Sequence, residues 1–81
     1  MLIRVNKVTK GEVKNVLINV DHIIEVEPVN EDKPTTKMGQ LDFSVPRSRI
    51  YLDKTVHDQE SIDVTEKIGD ISSKVISHLK P

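Results

Sequence analysis

The chain has 81 residues, no cysteine, and 12 Lys and Arg against 13 Asp and Glu, which gives a net charge of -1. This length predicts one domain with a thin core, and the lack of cysteine excludes disulfides and thiolate metal sites. A near-neutral chain has no long-range field to attract a polyanion, and its two aromatic residues, Phe43 and Tyr51, are too few for a base-stacking surface.

The first 28 residues predict a three-stranded meander. Apolar and polar residues alternate over residues 2–8, turn-forming residues follow at 9–12, and a return strand is expected over about residues 13–20. The face of the return strand that should be buried carries Val16, Ile18 and Val20.

A third strand is expected over about residues 23–28. The corner before it contains Asn19 and Asp21, whose short polar side chains favour turns. Period-two alternation places Ile24 and Val26 of this strand toward the core.

The middle of the chain has weaker patterns. Residues 29–42 are rich in charge, Thr, Pro and Gly, and predict a mobile loop or a loose hairpin arm. A fourth strand is expected over about residues 48–52, and Val56 indicates a short fifth strand between residues 53 and 60.

The C-terminal part predicts an amphipathic helix over about residues 63–79. Asp63 is the expected N-cap, and Glu66 would complete a capping box. The apolar stripe of the helix consists of Val64, Ile68, Ile71, Val75 and Leu79.

This stripe is longer than a small sheet of short strands can cover. We expect Ile68 and Ile71 to pack on the sheet. Ile76 and Leu79, near the end of the helix, should then lie at a subunit or partner interface.

Together these elements predict an α+β fold, a small antiparallel sheet of three to five strands with one C-terminal amphipathic helix packed on it. Residues 1–20 contain no uninterrupted apolar stretch, so we expect no signal peptide, no membrane insertion and a cytoplasmic location. A thin core also predicts that oligomerisation contributes to stability, and hence a homo-oligomer.

The sequence contains no pattern typical of catalysis. His22, His57 and His78 lack the i, i+4 spacing and the HExxH motif of metal sites, the serines lie in no nucleophile elbow, and the three glycines are isolated. We therefore predict no enzyme activity, no catalytic residue, no metal site and no cofactor.

One local feature, the segment Arg47–Arg49, suggests ligand binding. Its two guanidinium groups and nearby lysines predict a small site for an anionic ligand, a nucleotide or RNA. The alternative is a solvated edge strand whose charges discourage aggregation. The candidate ligand-binding residues are Arg47, Arg49, Lys33, Lys37 and Lys54.

The order of these patterns resembles the small flagellar and swarming-motility proteins of the FlbD/SwrD type, and related small phage-encoded proteins. The matching residues are Gly11, Glu12, Leu17, Asn19, Asp21, Ile23, Ile24, Ser48, Ile50, Leu52, Val56, Ser61, Val64, Lys67 and Ile68. The resemblance implies the sheet-and-helix fold and a flagellar role. The start Met1-Leu2-Ile3 and the segments Val45–Arg47 and Ile50–Tyr51 also resemble the carbon storage regulator family of RNA binders, which implies the RNA alternative.

Two functions therefore follow from the sequence. The preferred hypothesis is a small non-catalytic interaction module that self-associates and binds a protein partner. The alternative is a small bacterial or phage protein that binds an anionic ligand, a nucleotide or RNA through a local Arg/Lys patch. An enzyme is the least favoured hypothesis, because no residue set supplies a reaction.

Overall fold

The computed structural model describes residues 1–34, 36–41 and 45–79 of the chain. Within them the elements follow in the order β1 (Leu2–Thr9), β2 (Glu12–Asn19), a 3-10 turn (Val20–His22), β3 (Ile23–Pro28), β4 (Thr36–Lys37), β5 (Gln40–Leu41), β6 (Ser48–Leu52), β7 (Ser61–Val64) and α1 (Ile68–Leu79). The predicted α+β fold is confirmed.

The main sheet is antiparallel and has five strands in the order β2-β1-β7-β6-β3. The predicted three-stranded meander of residues 2–28 is therefore wrong beyond its first hairpin, because β3 pairs with β6 at the edge opposite β2. Its first hairpin pairs β1 with β2 from Leu2 opposite Asn19 to Thr9 opposite Glu12. Both residues between these strands have positive φ, 49° at Lys10 and 79° at Gly11. This conformation is the type I′ turn, whose twist matches that of the strands it joins.

A smaller hairpin forms in the segment that was predicted as a loop or a hairpin arm. Strand β4 pairs with β5, and the turn between them again has two positive φ values, 53° at Met38 and 82° at Gly39. The hairpin-arm prediction for residues 29–42 is therefore confirmed for this part.

The core lies on one face of the main sheet and is closed by one residue of α1. Ile71 from the helix is buried against apolar side chains of β1, β2, β6 and β7. The buried residues are Ile3, Val5, Ile18, Ile50, Leu52, Ile62, Val64 and Ile71. Around them, Val16, Val20, Ile23, Val26 and Val75 are partly buried. The predicted inner face of the return strand is thus confirmed.

The predicted orientation of Ile24 is wrong, and a β-bulge explains why. In the pairing of β3 with β6, the register shifts between Ile23 and Glu25. The extra residue reverses the alternation, so Ile23 and Val26 both pack on the core while Ile24 is 69% exposed.

The predicted boundaries in the C-terminal third are also wrong. Helix α1 begins at Ile68 and not near residue 63. Val56, which was expected to start a further strand, lies in a turn, and the strand in this region is β7, Ser61–Val64. Pairing of this segment with both β6 and β1 satisfies its backbone and buries two of its side chains. Tertiary pairing therefore overrides the helical spacing that Val64 shares with α1.

Glu66 and Lys74 bind the backbone of β1 just beyond its pairing with β7. The Glu66 carboxylate accepts the Asn6 N–H with both oxygens at 3.0 Å. The ammonium of Lys74 donates to the Arg4 carbonyl at 2.7 Å and lies 3.7 Å from Glu66 Oε2. Glu66 thus binds a strand instead of completing the predicted capping box.

Candidate functional site

An apolar groove lies between α1 and β3. It has a volume of about 300 Å³ and is lined by Val20, Ile23, Val26, Ile68, Ile71, Ser72, Val75 and Ile76. Seven of these eight residues are aliphatic, so the groove offers dispersion contacts and very few hydrogen bonds. A surface of this composition suits an apolar side chain of another protein better than it suits a polar substrate.

The structure places the predicted helix residues at different depths in this groove. Ile71 is 4% exposed and packs in the core, which confirms its prediction. Ile68 is 38% exposed and lies at the rim, so its expected packing on the sheet is incomplete. Ile76, a predicted interface residue, is 51% exposed at the same rim. Leu79 ends the helix, and its side chain lies outside the described part.

The guanidinium of Arg47 is buried and binds the protein's own backbone. Its Nη1 donates to the carbonyls of Asn30 and Lys33 at 2.7 and 2.8 Å, and its Nη2 donates to that of Pro34 at 2.6 Å. Asn30, which has a φ of 54°, donates in return from Nδ2 to the Pro46 carbonyl at 3.0 Å. Arg47 therefore fixes the chain after β3 to the start of β6.

Arg49 lies in a different environment, in a network across β3, β6 and β7. Its Nε donates to Asp63 at 2.9 Å, and its Nη1 lies 3.8 Å from Glu27. The Asp63 hydrogen bond raises the pKa of Arg49. The Tyr51 hydroxyl donates to Glu27 at 2.6 Å, and this bond raises the pKa of Tyr51.

The five predicted ligand-binding residues are thus only partly brought together. Lys33 and Arg47 line one cavity of about 390 Å³, together with Lys67 and Gly69 at the start of α1. The ammonium Nζ of Lys54 instead lies 3.5 Å from Oε2 of Glu60 in an exposed ion pair. The side chain of Lys37 lies outside the described part. Sequence reasoning missed Lys67, because the predicted helix start near residue 63 placed it inside the helix and not beside the cavity.

A second feature that the sequence did not indicate is a contact between two histidines. Nδ1 of His22 lies 3.0 Å from Nε2 of His57, and the rings meet edge to face with centroids 5.0 Å apart. Asp53 joins their backbones, since its N–H donates to the His22 carbonyl at 2.9 Å and its carbonyl accepts the His57 N–H at 3.1 Å. A separation of 35 residues left no local pattern to find.

The side chain of Asp53 stabilises the same turn. Its Oδ1 accepts the Thr55 N–H at 2.9 Å and the Thr55 hydroxyl at 2.7 Å. These two bonds, with smaller effects of His22 and His57, lower the pKa of Asp53. The carboxylate therefore remains ionised close to the histidine pair.

The described residues lack both a three-ligand metal cluster and a membrane-spanning helix. In residues 1–34, 36–41 and 45–79, no three His, Asp or Glu side chains are grouped so that they could hold one metal ion. No helix in these ranges is long and apolar enough to cross a membrane.

Comparison of the chain with protein-family models, with curated proteins and with solved structures returns no match. The resemblance to the flagellar and swarming-motility proteins therefore stays an expectation from sequence.

Proposed function

We propose that this chain is a small non-catalytic interaction module that self-associates and binds a protein partner through the groove between α1 and β3. The observation that carries the proposal is the apolar lining of this groove, with Ile68 and Ile76 exposed along its rim. Covering such a surface removes apolar area from water and stabilises the complex.

The size of the core supports self-association in particular. An 81-residue chain buries a smaller share of its surface than a larger domain does, so intermolecular burial adds a large fraction of the total. The second copy brings an identical groove and rim, and a two-fold axis would place each Ile76 against the groove of the other subunit.

Sedimentation equilibrium with a substitution at the rim tests the proposal. Ile76→Asp should shift the chain toward monomer, because an unpaired carboxylate would become buried in the interface. Val56→Asp is the matched control, since Val56 is 54% exposed in a turn outside the groove. Self-association would be excluded if the wild-type chain stayed monomeric at about 100 μM, which is in the concentration range of weak association. Equal effects of the two variants on association would show that the interface does not lie in the groove.

The partner-binding part has its own test. A pull-down with the wild-type chain, followed by mass spectrometry, should recover a protein that Ile76→Asp does not retain and Val56→Asp does. Retention of the same partner by Ile76→Asp would place partner binding on another surface. Flagellar proteins among the recovered chains would support the role that the family resemblance implies.

Binding of an anionic ligand, a nucleotide or RNA is the second candidate function. The observation in its favour is that Lys33, Arg47 and Lys67 line one cavity at the start of α1. Because both Nη atoms of Arg47 donate to backbone carbonyls, the lysines would supply most of the contact with a ligand. Glu31 in the same lining opposes an anion.

A titration with ATP and with a short RNA, followed by amide NMR shifts, tests this second candidate. The double variant Lys33→Glu and Lys67→Glu should abolish binding, and its matched control is the exposed Lys54→Glu. If the wild-type chain shows no shifts, or the double variant binds as tightly as the wild type, the candidate is excluded.

A further inference from the structure

The two facing nitrogens of the histidine pair are as far apart as two ligands of one metal ion. We propose that His22 Nδ1 and His57 Nε2 bind one divalent cation of the type that prefers imidazole, such as Zn²⁺, Ni²⁺ or Cu²⁺, with water completing the coordination. The proposal reverses the expectation from sequence that the chain has no metal site, and it is independent of the groove between α1 and β3.

The distance between the two nitrogens supports the proposal. With metal–nitrogen distances of about 2.0 to 2.1 Å, two ligands of one ion lie about 2.9 Å apart at a right angle and about 3.3 Å apart in a tetrahedron. The observed 3.0 Å falls between these values. The spacing of the two nitrogens therefore fits one ion, once each ring turns so that its lone pair points at the ion instead of at the other nitrogen.

The backbone holds both ligands in place before an ion arrives. His22 belongs to the 3-10 turn and His57 to the loop after β6, and the N–H and carbonyl of Asp53 bind one backbone group of each. Prior positioning of this kind lowers the entropy cost of binding.

The protons and the access route are also compatible with the proposal. In the metal-free pair, the N–H of one ring donates a hydrogen bond to the facing nitrogen of the other ring. Binding needs both lone pairs, so that proton moves to the distal nitrogen of its own ring, and a neutral pair releases no net proton. His57 lines a cavity of about 380 Å³ with Lys7, Asp58 and Gln59, through which water and ions can reach the ring.

Only two protein ligands converge, so binding should be weaker than in structural zinc sites with four. It should also discriminate by ligand chemistry, because imidazole suits Zn²⁺, Ni²⁺ and Cu²⁺ whereas Mg²⁺ prefers oxygen. We therefore expect ZnCl₂ and NiCl₂ to bind and MgCl₂ to leave the chain unchanged at the same concentration.

The experiment uses the full chain without a polyhistidine tag, with ZnCl₂ and NiCl₂ as probes. At a tenfold excess over Kd, the ion should raise Tm by about 5 to 10 °C for a domain of this size. His22→Gln and His57→Gln should each weaken binding by at least about tenfold, since even substitutions behind a ligand cost that much. His78→Gln, which removes the remaining histidine, is the matched control and should bind as the wild type does.

A second readout covers the case in which a histidine variant fails to fold. In the wild-type chain, ring ¹⁵N resonances of both His22 and His57 should shift together on adding ZnCl₂. Shifts at His78 alone, binding that His22→Gln retains in full, or no binding of either probe at 1 mM, in the range of weak affinities, would each overturn the proposal.

Discussion

The centre of the main sheet and its β3 side use the same aliphatic residues but differ in how completely they are covered. In the centre, Val5, Ile50 and Val64 have 0% exposed surface. On the β3 side, Ile23 and Val26 are only partly buried, and half of Ile76 in the neighbouring helix remains exposed. Burial in this chain therefore follows position in the sheet and not residue type.

The strand order explains the difference. Strands β1, β7 and β6 each have a paired strand on both sides, whereas β3 is an outer strand of the sheet. The helix covers the centre with Ile71 and leaves its next turns beside β3 partly open. The centre thus supplies stability, and the β3 side offers the surface that we propose for association.

The largest test of this comparison truncates one helix isoleucine in each region, Ile71 over the centre and Ile76 on the β3 side. Ile71→Ala should lower the free energy of unfolding by about 2 to 5 kcal/mol, because it leaves a cavity in the core. Ile76→Ala should change it by less than about 0.5 kcal/mol in dilute, monomeric protein, as expected for an exposed position. Urea unfolding at low concentration measures both. Similar losses for the two variants would mean that the rim is part of the core.

The two arginines near β6 extend the comparison to charged groups. Arg47→Met should cost about 1 to 3 kcal/mol, because three backbone carbonyls lose the charged donor of a buried guanidinium. Arg49→Met should cost less, since its ion pairs are exposed and screened by solvent. Thermal unfolding of both variants, repeated in high salt, measures the difference. A larger loss for Arg49→Met would contradict a structural role of Arg47.

The first hairpin was predictable because local periodicity and turn chemistry agree over its two strands, whereas the pairing of β3 with β6 instead of β2 was not. The alternation in β1, the Lys10–Gly11 turn and the inward face of β2 all follow from local sequence. The strand Ser61–Val64 was not predictable in the same way, because Val64 is in phase with the helix that follows. Its conformation depends on pairing with β1 and β6, and a single sequence does not display that pairing.

The candidate sites were less predictable than the fold, because they depend on contacts between distant segments. Arg47 and Arg49 look equivalent in sequence, yet one binds backbone carbonyls and the other binds carboxylates of β3 and β7. His22 and His57 meet only because Asp53 joins two loops. The bulge that exposes Ile24 likewise appears only when β3 pairs with β6.

Ser48 is an exception inside the covered centre and gives a smaller prediction. It is fully buried, and among the described residues its hydroxyl has no hydrogen-bond partner. Ser48→Ala removes this unsatisfied group, so it should be neutral or raise the free energy of unfolding by up to about 1 kcal/mol. Ser61→Ala, at a half-buried position of β7, is the control. A clear loss of stability in Ser48→Ala would show that the hydroxyl makes a favourable interaction.

The smallest expected effect belongs to the loop at the periphery, where Asp53 accepts two bonds from Thr55. These bonds lower the pKa of Asp53 in the folded chain. The stabilisation that the Asp53 carboxylate gives the folded chain is therefore complete above the unfolded pKa of about 3.9. It is lost as the pH falls through the lower folded pKa. Asp53→Asn should therefore reduce the decrease in Tm between about pH 5 and pH 2.5. Asp58→Asn, in the same loop, is the matched control. If Asp53→Asn left this decrease unchanged, the turn would contribute nothing to acid stability, and the histidine pair would be held by backbone contacts alone.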